Sequence, residues 1–358
     1  MPTLQRIVLR RLRLPLIRPY RLSYRTFDEF EPYLVEVEDS DGRSGFADAH
    51  ISPGSSSETR EGGWTFCLGK MAEMIGRTPE EAKALVLKDF ETSKVASTAL
   101  VTAIEVMEGS SLIDVEDARP QPLLTPINST DLAAIPAEVE GWLKEGFRTF
   151  KVKVGKDVEA DLARVAAVQK AAAGRATLRL DANRAYSRDQ GIAFASRLDP
   201  EGIELFEQPC DSYDWDSNAA VAAASTVPLM LDEPICTLGD IAHAADIEGV
   251  AFCKLKLKRF GGLQRLADGL NAVRANGMRP VLGDGLGSEI HSWLEACVAL
   301  DTVDNAGEFN GFLKPHKGLF ENPLPFEDGA IRMPPGYRPK LDRAEVENAT
   351  TAIHEVAI

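Results

Sequence analysis

Eight short apolar runs, each closed off by polar residues, recur from Leu123 onward and begin roughly 22 to 29 residues apart. They are Leu123–Ile127, Thr149–Val154, Thr177–Leu180, Ile203–Phe206, Val227–Leu231, Val250–Leu257, Arg279–Leu282 and Asn305–Phe309. Most intervals hold a helix-compatible stretch, such as Val158–Ala173, ending at Gly174, and Leu263–Ala275, ending near Gly277. A strand of about five residues, a helix of about twelve and two short loops sum to roughly that period. Alternating strands and helices imply parallel pairing, and eight units close a β/α barrel. A doubly wound open sheet is the alternative, but nothing like G-x-G-x-x-G follows the first run.

The preceding residues read differently. Leu34–Glu38 alternates with period 2 into the turn cluster Asp39-Ser40-Asp41-Gly42, and Ser44–Ala47 returns as a hairpin partner. Residues 58–106 then carry helical segments, one of them starting at Pro79-Glu80-Glu81. Strands followed by helices indicate a separate α+β unit. Its boundary with the barrel is expected within Ala118–Pro122, giving units of residues 1–120 and 121–324.

Composition removes several function classes. With 40 Lys plus Arg against 55 Asp plus Glu, the formal charge is −15, too acidic for a protein that neutralises nucleic-acid phosphates. The five cysteines are scattered and form no C-x-x-C, so neither a disulfide framework nor a thiolate zinc site is indicated. Arg10, Arg11, Arg13 and Arg18 interrupt the apolar stretches near the start, and no run reaches the roughly 20 residues that cross a bilayer. The expectation is a soluble cytoplasmic protein without nucleic-acid or membrane partners.

In a β/α barrel the chemistry sits at the C-terminal ends of the strands. Three consecutive runs end in carboxylates, Asp181, Glu207 and Asp232, spaced 26 and 25 residues apart. Adjacent strands lie about 4.8 Å apart, so three such side chains on one inward face would converge and repel. An oxygen-preferring cation resolves the conflict, and Mg²⁺, with Mn²⁺ as the alternative, suits a ligand set without His or Cys. Taken singly, each acid reads as a helix cap or an ion-pair partner. In the pair Asp232-Glu233, strand alternation lets only one point inward, and its place in the repeat favours Asp232.

Lysines accompany the acids. Lys151 and Lys153 share one face of their strand, as do Lys254 and Lys256. A buried lysine paired with carboxylates can be purely structural. The functional reading places Lys153 and Lys256 on opposite sides of a bound substrate, one as base and one as acid. A lysine acting as a base near neutral pH needs its proton affinity lowered by roughly three units, about 4 kcal/mol. An isolated dication about 6 Å away, at an effective dielectric near 20, supplies on the order of 5 kcal/mol. Bound carboxylates offset much of that, and Lys151 beside Lys153 provides a second cation.

With these motifs in this order the sequence resembles the enolase superfamily, most closely the muconate-lactonizing (muconate cycloisomerase) branch of its mandelate racemase/muconate lactonizing enzyme family. The motifs are Lys151-Val152-Lys153, Asp181-Ala182-Asn183, Glu207-Gln208-Pro209, Asp232-Glu233-Pro234 and Lys256, five residues before Gly261-Gly262; Asp41-Gly42 to Asp48 also match. The resemblance implies an α/β fold, a (β/α)7β TIM-like barrel under an α+β capping domain that residues of about 325–358 complete. It implies that Asp181, Glu207 and Asp232 bind Mg²⁺, which holds the carboxylate of a small-molecule substrate, and that Lys153 or Lys256 removes the α-proton to give an enediolate. Lys151 would contact the same carboxylate, and a homo-oligomer is expected.

A lysine on each face leads to racemisation or epimerisation of an amino-acid-type or related acid. Loss of a β-leaving group would instead give cycloisomerisation or dehydration. Alternatives of another class are a Schiff-base aldolase using Lys256 and a non-catalytic metal-binding protein. Departures from the family pattern leave the substrate open. Strand six carries Lys256 where mandelate racemases have an Asp paired with a strand-seven His, and His291 falls on the following helix. Gly307-Glu308-Phe309-Asn310 replaces the Asp-x-Asp of dipeptide epimerases, Ala47-Asp48 replaces Gly-Glu, and Gly283-Asp284-Gly285 matches no assigned type. Asn183, Asp284, Glu308, Tyr24 and Pro53 are the candidate substrate contacts.

Overall fold

The computed structural model describes residues 1–21, 25–54 and 57–358. The N-terminal part begins with strands β1 (Leu4–Leu12), β2 (Leu14–Arg21), β3 (Thr26–Phe30), β4 (Tyr33–Asp39) and β5 (Ser44–Ala49). β4 and β5 form the hairpin expected around Asp39–Gly42, in register from Tyr33 opposite Ala49 to Glu38 opposite Ser44. Three helices follow, α1 (Arg60–Met74), α2 (Pro79–Lys88) and α3 (Lys94–Met107). α2 starts at Pro79 because Thr78 caps it in a reciprocal capping box with Glu81, worth about 1 kcal/mol. α3 is apolar almost all round and lies against β5. Gly45 permits this approach, since a Cβ there would stand 2.3 Å from the Met107 amide nitrogen.

The barrel begins after a short strand β6 (Gln121–Pro122). Its elements are β7 (Thr125–Ile127), α4 (Ile135–Lys144), β8 (Thr149–Lys153), α5 (Val158–Ala172), β9 (Thr177–Asp181), α6 (Arg188–Ala195), β10 (Ile203–Glu207), α7 (Trp215–Ala224), β11 (Leu229–Leu231), α8 (Leu238–Ala245), β12 (Val250–Leu255), α9 (Leu257–Phe260), α10 (Leu263–Ala275), β13 (Arg279–Leu282) and α11 (Glu289–Thr302). β7 to β13 form one parallel sheet of seven strands in sequence order.

Two expected strands differ. The sixth stops at Leu255, and Lys256 becomes the N-cap residue of α9. The eighth run, Asn305–Phe309, is not a regular strand, yet it closes the barrel. The Gly307 amide donates to Pro122 O (2.8 Å), the Leu124 amide to Gly307 O (3.0 Å) and the Glu308 amide to Leu282 O (2.9 Å). Gly283, at φ +127°, lets the chain pass so closely that a Cβ would lie 2.5 Å from the Phe309 amide.

The chain ends with β14 (Phe326–Glu327), β15 (Ala330–Ile331), α12 (Arg343–Ala349) and β16 (Thr350–Ala357). β14 pairs with β15 and β15 with β6, and β16 returns to β1, making an antiparallel sheet of order β16-β1-β4-β5. The architecture is a (β/α)7β barrel under an α+β cap. Among the described residues no helix is long and apolar enough to cross a membrane.

Candidate active site

Alternation along the barrel strands sorts the interior into layers. Leu205, Met230, Phe252 and Val281 form an apolar cluster of their own, separate from the main core. Two residues further along their strands, on the same face, stand Glu207, Asp232 and Lys254. Arg179 lies one such step below Asp181 and is tied to Glu204 (2.8 Å), Ala306 O (2.8 Å) and Asn305 Oδ1 (3.0 Å). The helices after β9, β10 and β11 are capped by Ser187, Asp214 and Thr237. Asp181, Glu207 and Asp232 are therefore free of capping duty.

Lysines interleave with these acids. Lys151 Nζ lies 2.8 Å from Asp181, 3.0 Å from Glu207 Oε2 and 2.9 Å from Glu308. Lys254 Nζ is 3.0 Å from Glu207 Oε1 and also bonds Glu308. Lys153 donates to Asp181 and to Asn183 Oδ1, both at 2.5 Å. Lys256 donates to Asp232 Oδ2 at 2.9 Å, while Arg259 holds Oδ1 and the backbone carbonyls of Asp232 and Glu233. Exposure separates the lysines: the side chains of Lys151 and Lys254 are 3% and 2% exposed, those of Lys153 and Lys256 29% and 16%.

Electrostatics follow this geometry. Burial pushes the Asp181 carboxyl up, but Lys151, Lys153 and Lys254 outweigh it and hold the group down to about 2. For Asp232, burial is overcome by Lys256 and Arg259, which keep it well below the usual range. Glu207 goes the other way, raised by burial and by the neighbouring Asp181 charge. Glu308 is lowered, its burial outweighed by Lys151 and Lys254.

Of the candidate substrate contacts, Asn183 and Glu308 stand at the lysines. Glu308 joins Lys151, Lys153, Tyr20, Arg21, Asn310 and Lys314 around a small cleft. Lys256 is not among the residues lining that cleft. Asp284 is held instead by Lys258. Pro53 is half-buried on the chain leaving β5, and Tyr24 lies outside the described residues. Sequence reasoning passed over Arg259, Lys314 and the pairing of Lys254 with Glu207 and Glu308. Only the Lys-x-Lys pattern carried a signal for the last. Lys314 donates to Asn310 O (3.1 Å) and Oδ1 (2.6 Å) and lies over the Tyr20 ring; burial pushes it down to about 7.

A second polar group lies between β5 and α11. His291 ring nitrogens are 3.8 Å from Asp48 and 3.5 Å from Glu295. Burial lowers its affinity for a proton, but Glu295 and Asp48 outweigh burial and raise it to about 9. Because the folded value exceeds the ordinary 6.5, this contribution is complete below pH 6.5 and disappears as pH rises through 9. It amounts to on the order of 3 kcal/mol. The denaturation free energy of wild type minus that of His291→Gln should fall by roughly that amount between pH 6 and 9.5; a flat difference refutes the assignment.

The residues suit a hard divalent cation. Asp181, Glu207 and Asp232 bring oxygen donors from three neighbouring strands, and the Lys151 ammonium already sits as a shared cation between the first two. As the side chains stand, no group of three His, Cys, Asp or Glu among the described residues is arranged as a metal-holding cluster.

The sequence profile of the family "Enolase C-terminal domain-like" matches residues 134–339. The chain is 29% identical over 296 residues to the hydrophobic dipeptide epimerase of Citrifermentans bemidjiense, covering 76% of this chain and 78% of that protein. It is 25% identical to muconate cycloisomerase 1 of Acinetobacter baylyi, over 93% of this chain and 96% of that one. Its fold superposes on N-succinyl Arg/Lys racemase from Bacillus cereus with a TM-score of 0.90, at 20% identity, over 99% and 100% of the two chains. It also superposes on the muconate lactonizing enzyme of Pseudomonas fluorescens, with a TM-score of 0.88 at 24% identity over 97% and 99%. From the profile match and the barrel with its cap, the chain belongs to the enolase superfamily, in the mandelate racemase and muconate lactonizing branch.

Proposed function

We propose that this isomerase of the enolase superfamily removes the proton α to the carboxylate of a small-molecule acid and returns it to either face, racemising or epimerising an amino-acid-type or related substrate. The placement of the two accessible lysines carries the reading. Lys153 stands at Asp181, on the β8–β9 side of the acid row, and Lys256 at Asp232, on the β11–β12 side. A substrate held over the row lies between them. In this reading residues 1–120, completed by about 325–358, cover the barrel of 121–324.

Asp181, Glu207 and Asp232 would hold Mg²⁺ or Mn²⁺. Bound there, the cation would supply positive charge against the negative charge that grows on the substrate carboxylate as the α-proton leaves. Lys153 and Lys256 move the proton, each keeping its ammonium near a carboxylate when not engaged. Lys151, locked by three acids, stays charged and orients the carboxylate end. The relatives described above are isomerases, which sets aside the aldolase and the non-catalytic protein. Likeness to a muconate cycloisomerase across most of the chain favours a second outcome, the same proton abstraction followed by expulsion of a β-leaving group.

Incubating the protein with Mg²⁺ and a library of chiral carboxylic acids in D₂O tests this. Recovered substrate should carry α-deuterium and lose optical activity, and EDTA should suppress both. A β-eliminated or cyclised product selects the second outcome. The absence of α-exchange and of any product with every acid, in protein that binds Mg²⁺, refutes both.

A further inference from the structure

Lys254 takes no part in the proton transfer, yet it rises from the apolar floor on β12 into the layer of the carboxylates. Its Nζ lies 3.0 Å from Glu207 Oε1 and bonds Glu308 Oε2, while Lys151 lies 3.0 Å from Glu207 Oε2 and 2.9 Å from Glu308 Oε1. Lys151, Glu207, Lys254 and Glu308 thus close a ring of alternating charge, with no side chain more than 8% exposed. Both oxygens of Glu207 already carry an ammonium partner. The side chains of Lys153 and Lys256 are 29% and 16% exposed, whereas that of Lys254 is 2% exposed and enclosed in the barrel.

We propose that Lys254 is a built-in competitor of the divalent cation, lowering metal affinity by occupying Glu207 and cancelling part of the charge that attracts the ion. The inference rests on the metal reading given above. Asp181, Glu207, Asp232 and Glu308 carry four negative charges and are paired with Lys151, Lys153, Lys254, Lys256 and Arg259. A dication arriving at the acids therefore meets one positive charge fewer without Lys254. The same ring keeps the acids paired when no metal is bound, so metal can leave without exposing buried charges to one another.

The test uses the 358-residue protein stripped with EDTA and dialysed, as wild type and as Lys254→Met, which keeps an unbranched stem and removes the ammonium group. Mg²⁺ binding is followed by titration calorimetry, and melting temperature is read in EDTA and in saturating Mg²⁺. Lys254→Met should bind Mg²⁺ at least tenfold more tightly, melt below wild type in EDTA and recover most of that loss in Mg²⁺. Binding by the variant alone also supports the proposal. Equal or weaker affinity in the variant, with wild type binding normally, overturns the competition and leaves the metal reading standing. No binding by either overturns both. Should Lys254→Met fail to fold, the comparison is made between Glu308→Gln and Glu308→Gln/Lys254→Met, where one of the two acids that Lys254 bonds is already neutral; the tenfold difference is expected there too.

Discussion

Lys153→Met and Lys256→Met are each expected to lose racemisation by about three orders of magnitude or more, while each keeps α-proton exchange with one enantiomer and not the other. The expectation comes from position. Lys153 is anchored by Asp181 and Asn183 and Lys256 by Asp232, so the two ammonium groups approach the acid row from its two ends. A substrate carboxylate fixed over the row presents opposite faces of its α-carbon to them. Removing one lysine leaves the other able to take and return a proton on its own face, which shows as deuterium incorporation with retention of configuration. The measurement is NMR of each pure enantiomer in D₂O with each variant. Loss of exchange for the same enantiomer in both variants, or racemisation surviving either change, would contradict the assignment of one lysine per face.

Glu308→Ala should lower stability by about 3 to 5 kcal/mol, the usual consequence of removing one partner from a buried ion network. Glu308 lies between Lys151 and Lys254, and both lysine side chains are almost fully enclosed. Deleting it leaves two ammonium groups sharing Glu207 and Asp181 in a space that water hardly reaches. Glu308→Gln should cost less, because the amide oxygen still accepts from one lysine. Thermal melting of the metal-free protein checks this, with a drop on the order of 5–10 °C expected for the alanine variant. A change within about 2 °C would mean that the lysines find other partners and that the ring is not a unit.

Much of this site was legible because two of its determinants are local. A strand has period 2, so Lys151-x-Lys153, and the steps from Arg179 to Asp181 and from Leu205 to Glu207, fix which side chains share a face. The repeat of strand and helix then brings Asp181, Glu207 and Asp232 to neighbouring strand ends. What period 2 does not give is height. Lys254 and Lys256 share a pattern, but β12 ends at Leu255, so Lys254 stays inside the barrel with Glu207 while Lys256 turns out toward Asp232. Arg259 reaches Asp232 from a four-residue helix that no periodicity announced.

The sequence by itself determined the barrel, the row of three acids and the family, because strand period, repeat length and motif order are written along the chain. The tertiary structure decided which charges pair and which parts meet across long separations. β16 returning to β1, and Asn305–Phe309 sealing the barrel through single hydrogen bonds beside Gly283, join segments that no local pattern connects. The pairing of Lys254 with Glu207 and Glu308 is of the same kind. An ion pair depends on distance and enclosure, and those exist only once the strands have closed around it.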